Sequence, residues 1–213
     1  RIVATIVAAG LGTVAPATVA TAQSGSIALW GQSPSECETA IDIGSPENPV
    51  VGVAGGSRHV VAVLADGSIA CCGDDSYGQT EIPTGVGTPE NPATGVAAGA
   101  YHSVALLSDG SIACWGDDTD AQCEVPAGIG TPENPVLRIA AGRRHTMAVL
   151  ERGEVVCWGS NEHGQTAIPT GLGTSEIAVV DAAAGGSHAV ALLADGSVAC
   201  WGADVQGQCD IPD

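Results

Sequence analysis

Four histidines, His59, His102, His145 and His188, stand 43 residues apart, and imidazole is a side chain suited both to holding zinc and to shuttling protons. A ring of them around a common axis would make a metal site. Zinc, however, needs ligands that meet within about 2 Å of one ion. Strict recurrence instead suits a structural role, in which each imidazole fixes its own unit by hydrogen bonding to backbone, and the four are read that way. Nucleophilic chemistry has little support either. Ser57 near His59 and Ser187 beside His188 are repeat positions, no Gly-x-Ser-x-Gly elbow occurs, and no glycine-rich phosphate loop opens a helix. The chain reads as non-catalytic and without a cofactor.

Two further sets of residues could act. Asp74 and Asp75, Asp117 and Asp118 with Asp120, Asn161 and Glu162, and Asp204 fall in equivalent turns. They are expected to decorate one rim and to steer a basic partner. Calcium would need about six to eight oxygens at one point, and each turn offers only two or three, so no metal is assigned. Of eight cysteines, Cys114 and Cys123 are nine apart, as are Cys200 and Cys209. Two disulfides within repeats are the economical reading. A scheme across repeats, such as Cys37 to Cys71 and Cys123 to Cys157, is the alternative, and Cys37, Cys71, Cys72 and Cys157 stay unassigned in the first scheme.

The elements that must position these residues are written in one recurring string. "HVVAVLADGSIACCG" starts at His59, "HSVALLSDGSIACWG" at His102, "HTMAVLERGEVVCWG" at His145 and "HAVALLADGSVACWG" at His188. A fixed period of this length signals a propeller or a solenoid. An earlier, less regular copy carries "SGSIALWG" (Ser24 to Gly31). Five repeats result, approximately 1–49, 50–92, 93–135, 136–178 and 179–213, in a single domain. Within each, two β-prone runs meet at a turn such as Asp109-Gly110, which tolerates the positive φ of a tight hairpin. Both faces of the strands are apolar, so each sheet must be covered on both sides. Trp30, Trp115, Trp158 and Trp201 hold equivalent positions and are expected to wedge between adjacent sheets. Cys72 replaces the indole in the second copy and predicts a weaker or repacked joint there. The proline-bearing connectors "GSPENPV", "GTPENPA" and "GTPENPV" are expected to lie together on one rim.

Composition limits the function. With 45% hydrophobic residues, no Phe, 30 Gly and 12 Pro, the chain is a folded all-β protein packed with small aliphatic side chains. Six Arg, no Lys and a formal charge of −18 argue against nucleic acid and against anionic lipid. No apolar run of spanning length follows residue 22. The opening "RIVATIVAAGLGTVAPATVATAQ" fits either a secretory leader or a first repeat strand. Its "IVAAG" matches "GVAAG" at Gly95 to Gly99, which favours the strand. Cysteines in a lysine-free chain suit an oxidising compartment, so the protein is read as secreted or at the cell surface.

"VAAGAYHSVALLSDGSIACWGDDTDAQCEVPAG" resembles the repeat of the regulator of chromosome condensation family. "CCGDDSYGQTEIPTG" (Cys71 to Gly85) is similar to the shorter bacterial form found in the β-lactamase inhibitor protein of the second type. The resemblance covers essentially the whole chain and implies a β-propeller of four-stranded antiparallel blades, usually seven where five repeats appear here. It implies a rigid disc presenting loops to a protein or surface polymer, without implying which. The rival expectation is a structural subunit. Five repeats that do not close would expose complementary faces and assemble head to tail into a ring or filament.

Overall fold

The structure, a computed structural model, describes residues 43–211 together with the backbone of residues 5–6, 18–21 and 27–30. Among these residues the fold is all β, and no helix is long and apolar enough to cross a membrane. A short first sheet comprises β1 (Thr5–Ile6), β2 (Thr18–Thr21) and β3 (Ile27–Trp30). Four regular sheets follow at the histidine period. They are β4 (Val50–Gly55), β5 (His59–Leu64) and β6 (Ile69–Gly73); β7 (Ala93–Ala98), β8 (His102–Leu107) and β9 (Ile112–Gly116); β10 (Val136–Ala141), β11 (His145–Leu150) and β12 (Val155–Gly159); and β13 (Val179–Ala184), β14 (His188–Leu193) and β15 (Val198–Gly202).

Each sheet is antiparallel in sequence order and has three strands, not the four expected. The segment that would supply the fourth carries Pro83, Pro126 or Pro169, whose missing N–H breaks a ladder. In two repeats the chain turns at that proline, Val86 N–H donating to Pro83 C=O at 3.2 Å and Leu172 N–H to Pro169 C=O at 3.1 Å. The apolar side chains just before it, Ile82, Val125 and Ile168, still pack against the sheets.

The hairpins form as their sequences dictate. Gly67, Gly110, Gly153 and Gly196 all have φ between +81° and +89°, and at Gly67 a Cβ would collide with Pro92. Asp66, Asp109 and Asp195 each accept from the backbone N–H and the hydroxyl of the serine two residues on. These turns share a rim with the connectors, since Ala93 N–H donates to Gly67 C=O and Ala65 N–H to Pro49 C=O.

The core lies between sheets. Val61 and Val63 of β5 pack with Ala93, Ala105, Leu107 and Trp115 of the next repeat. Leu106 of β8 likewise meets Val136, Ala148, Leu150 and Trp158. Met147 and Val149 meet Val179, Ala189, Ala191 and Trp201. The indoles of Trp115, Trp158 and Trp201 therefore sit between neighbouring sheets, while the side chain of Trp30 lies outside the described residues. Cys72 is buried among Ile43, Val50, Val53, Val60 and Ala62. First strands of successive sheets lie against one another, with no comparable contact between third strands, so the sheets fan out from an axis. Backbone bonds step around it: Ser57 N–H to Ala100 C=O, Ala100 N–H to Arg143 C=O, and Arg143 N–H to Gly186 C=O, at 3.2–3.3 Å.

Candidate functional site

His59 and His102 do not bond their own backbone through the ring, as the sequence reading expected; they reach the next sheet. His59 Nε2 lies 3.0 Å from the Ser103 hydroxyl, which donates to Gln79 C=O at 2.7 Å. His102 Nε2 lies 3.0 Å from the Thr146 hydroxyl, which donates to Gln122 C=O at 2.8 Å. Each hydroxyl has one proton and spends it on the carbonyl, so the ring nitrogen must be the N–H donor. The same carbonyls take the indoles: Trp115 Nε1 donates to Gln79 C=O at 2.9 Å and Trp201 Nε1 to Gln165 C=O at 3.0 Å. At position 189 the hydroxyl is missing, because the residue is alanine, and His145 Nε2 is left without a partner. Burial lowers the pKa of His59, His102 and His145 from 6.5 to about 4, so all three are neutral at physiological pH. Their rings press on Gly56, Gly99 and Gly142, where a Cβ would strike both imidazole and the carbonyl of the following repeat. His59 and His102 thereby join sheets. Among the described residues no three His, Cys, Asp or Glu side chains are grouped to hold a metal.

Most of the acidic-turn residues are engaged within their own turns. Asp74 and Asp117 accept from the Gln79 and Gln122 amides at 2.9 Å, and Asp117 is buried. Asp75, Asp118, Asn161 and Asp204 accept the backbone N–H five residues on, at 2.8–3.0 Å. Both nine-residue cysteine pairs are disulfides, with Cα separations of 5.1 Å for Cys114–Cys123 and 5.2 Å for Cys200–Cys209. Cys72 is also disulfide-bonded. Cys71 and Cys157 are free, their thiols pushed up to about 12 mainly by burial. Cys37 lies outside the described residues.

What remains exposed on that rim differs from one repeat to the next. The residue before each histidine in the repeats is Arg58, Tyr101, Arg144 or Ser187, and the residue two after the Asp75-type position of each acidic turn is Tyr77, Asp120, His163 or Gln206. Residues 24 apart meet across the joint. Tyr77 and Tyr101 pack with ring centroids 5.1 Å apart, and Arg144 pairs with Asp120 at 3.3 Å. A cavity of about 170 Å³ follows, lined by Arg143, Arg144, Ser160, Glu162, His163 and Ser187 among others. The sequence reading placed Asp120 and Glu162 on this rim and missed Tyr77, Tyr101, Arg143, Arg144 and His163. Aligning the repeats for difference instead of identity would have found them.

A family model for the regulator of chromosome condensation (RCC1) repeat matches residues 50–79, 93–122, 136–165 and 179–208, more than half of the chain. The chain belongs to the RCC1 repeat family. Several solved structures share its fold. Prp20p of Saccharomyces cerevisiae, whose binding to Gsp1p and histones was studied with its structure, aligns at 18% identity, covering 93% of this chain and 57% of its own, with a TM-score of 0.71. Human WBSCR16 aligns at 19% identity over 92% and 60%, with a TM-score of 0.69. The CRINKLY ectodomain of the Arabidopsis thaliana receptor kinase ACR4 aligns at 23% identity over 89% and 61%, with a TM-score of 0.63. The chain thus spans less than two thirds of each of these three solved chains. No curated protein matches the sequence.

Proposed function

We propose that this RCC1-repeat chain is a non-catalytic binding module that recognises a protein or surface polymer through the rim formed by its histidine loops and acidic turns. The carrying observation is where the repeats disagree. A repeat array presents the same residues on every unit by default, and its hairpin rim does so in three of the four regular repeats, with Asp66-Gly67, Asp109-Gly110 and Asp195-Gly196 against Arg152-Gly153. The other rim replaces uniformity with a tyrosine pair, an ion pair and a cavity flanked by Arg143, Arg144 and His163. Aromatic and arginine side chains are the ones that anchor protein interfaces. Binding of other proteins by the yeast relative Prp20p agrees with the mode. The turn residues Asp74, Asp75, Asp117, Asp118, Asn161 and Asp204 then build the turns that hold this surface, with Asp120 and Glu162 on it. Disulfides, which need an oxidising compartment, support secretion or display at the cell surface.

Immobilised chain is used to capture partners from extracellular and surface extracts. Tyr77→Ala with Tyr101→Ser, and separately Arg143→Ala with Arg144→Ser, should each weaken retention of the captured partner at least tenfold. Substitutions on the hairpin rim at Glu151 and Arg152 should leave it unchanged. Equal retention by all these variants would remove the rim from the interface.

A further inference from the structure

The fourth repeat builds its acidic turn without the carboxylate that fastens the same turn in the two repeats before it. Gln79 and Gln122 each accept a backbone N–H on Oε1, from Tyr77 and Asp120 at 2.8 Å. Each then donates from Nε2 to a carboxylate, Asp74 or Asp117, at 2.9 Å. Gln165 is oriented in the same way, since its Oε1 accepts from His163 N–H at 2.9 Å. The position of Asp74 and Asp117, however, is here Ser160. No described residue accepts from Gln165 Nε2 or pairs with the Ser160 hydroxyl, although Gln165 is only 3% exposed and Ser160 only 7%. Buried polar side chains are nearly always paired. These two open on the cavity of about 170 Å³ that Arg143, Arg144 and Ser187 also line.

The lining defines what such a cavity accepts. An amide N–H, a hydroxyl and a guanidinium all donate, and the sibling turns show a carboxylate on the same amide. Arg144 pairs with Asp120 at 3.3 Å, whereas no described carboxylate pairs with Arg143. One guanidinium is therefore free for a two-point grip on a carboxylate. Glu162 lines the same cavity and opposes an anion. It is exposed, so water and salt weaken its field, as they do that of acids farther than about 8 Å away. A water molecule takes about 30 Å³, so the cavity has the width for a side chain. Its lining holds no tyrosine or tryptophan on which a sugar ring could stack, which favours a peptide over an acidic polysaccharide.

We infer that this cavity receives an Asp or Glu side chain of a protein partner, whose carboxylate takes on Gln165 the place that Asp74 and Asp117 hold on Gln79 and Gln122. The inference rests on the rim reading above and narrows the partner to one that presents an acidic segment. The cavity thus selects a carboxylate on a rim whose own acids would draw a basic group.

Titration of the isotope-labelled 213-residue chain with acetyl-Gly-Glu-Gly-amide, followed by NMR, tests the site without the partner. The expected result is a saturable shift of the Gln165 side-chain amide, with the Gln version of the peptide bound about tenfold more weakly. Ser160→Asp supplies the internal carboxylate that the sibling turns already carry, so it should keep the fold by circular dichroism and abolish the shift. Arg143→Ala should weaken peptide binding about tenfold, and Glu162→Gln should strengthen it about twofold. Ser160→Asp should also weaken retention of the captured partner about tenfold. An unmoved Gln165 amide overturns the inference, as does peptide binding that survives Ser160→Asp. Tighter binding of an oligogalacturonate than of the Glu peptide overturns it in favour of a polysaccharide. Partner retention that is lost in the tyrosine and arginine rim variants but kept in Ser160→Asp overturns the acidic contact and leaves the binding rim standing. A Glu-specific shift with retention kept in every variant supports the carboxylate site and removes the rim reading alone.

Discussion

Replacing Ala189 with serine should stabilise the protein, an uncommon outcome for a change at a fully buried position. The reason is local. Ala189 faces Trp201 across the β14–β15 pair, as Ser103 faces Trp115 in the third repeat, and Trp201 already donates to Gln165 C=O. A hydroxyl placed here would lie between His145 Nε2 and that carbonyl, repeating the 3.0 Å and 2.7 Å contacts of Ser103. His145 Nε2 now has no partner, and an orphaned buried donor costs about 1–3 kcal/mol. Supplying one oxygen should recover about 1–2 kcal/mol, or about 2–8 °C in Tm for a chain of this length. Urea unfolding followed by tryptophan fluorescence measures it, since Trp201 reports on the joint. Ser103→Ala provides the reciprocal loss of about 1–3 kcal/mol at His59. In a His145→Leu background the gain should vanish. A neutral or destabilising Ala189→Ser, or a gain that survives loss of His145, would refute the hydroxyl-bridge account.

Acid should loosen the same joints. Their imidazoles titrate near 4 when folded and near 6.5 otherwise. Between those values the unfolded chain holds more protons, so stability is full above pH 6.5, falls as pH drops toward 4, and levels off below. With three such groups the slope reaches at most about 4 kcal/mol per pH unit, and urea midpoints at pH 7 and pH 5 should show it; equal midpoints would contradict it. The alternation of cysteine pairs offers another perturbation. Thr80 occupies the place of Cys123, and Cys71 that of Cys114. Thr80→Cys should close a third nine-residue bridge worth about 2.5 kcal/mol, seen as a 2 Da mass loss reversed by reductant, roughly one Da per thiol proton. Because burial holds the Cys71 thiol protonated, closure should need an oxidised glutathione buffer or an exchange catalyst. Failure of the pair to form under those conditions would show that the second and third repeats differ in loop geometry.

Much of this fold was legible because its elements are local and repeated. The histidine spacing set the period, the Asp-Gly pairs set the hairpins, and the recurring tryptophans marked the packing between sheets. The three-strand count was legible too, in Pro83, Pro126 and Pro169, but a proline is easily passed over when a family resemblance supplies four strands. The histidine bonds were not legible, since the position they reach lies 44 residues away and varies as Ser103, Thr146 and Ala189. A search within one repeat sees no pattern in them. The acidic turns misled for a related reason. Charge suggests exposure, yet Asp117 reaches Gln122, five residues on, and disappears beneath the surface. That carboxylate-to-glutamine spacing recurs at Asp74 and Gln79, and it is the sequence signal for a turn fastened from inside.

The partners of His59 and His102 arrive one unit late, and this imposes an order on the chain's birth. A sheet emerging from the ribosome cannot complete its polar seam until another 44 residues have been made, roughly 2–9 s at ordinary translation speeds. During that interval its greasy flank faces the cytosol or the export channel unshielded. Maturation should therefore advance as a wave from the amino terminus, each newcomer locking the sheet before it, with the most recent arrival always the one in need of a chaperone.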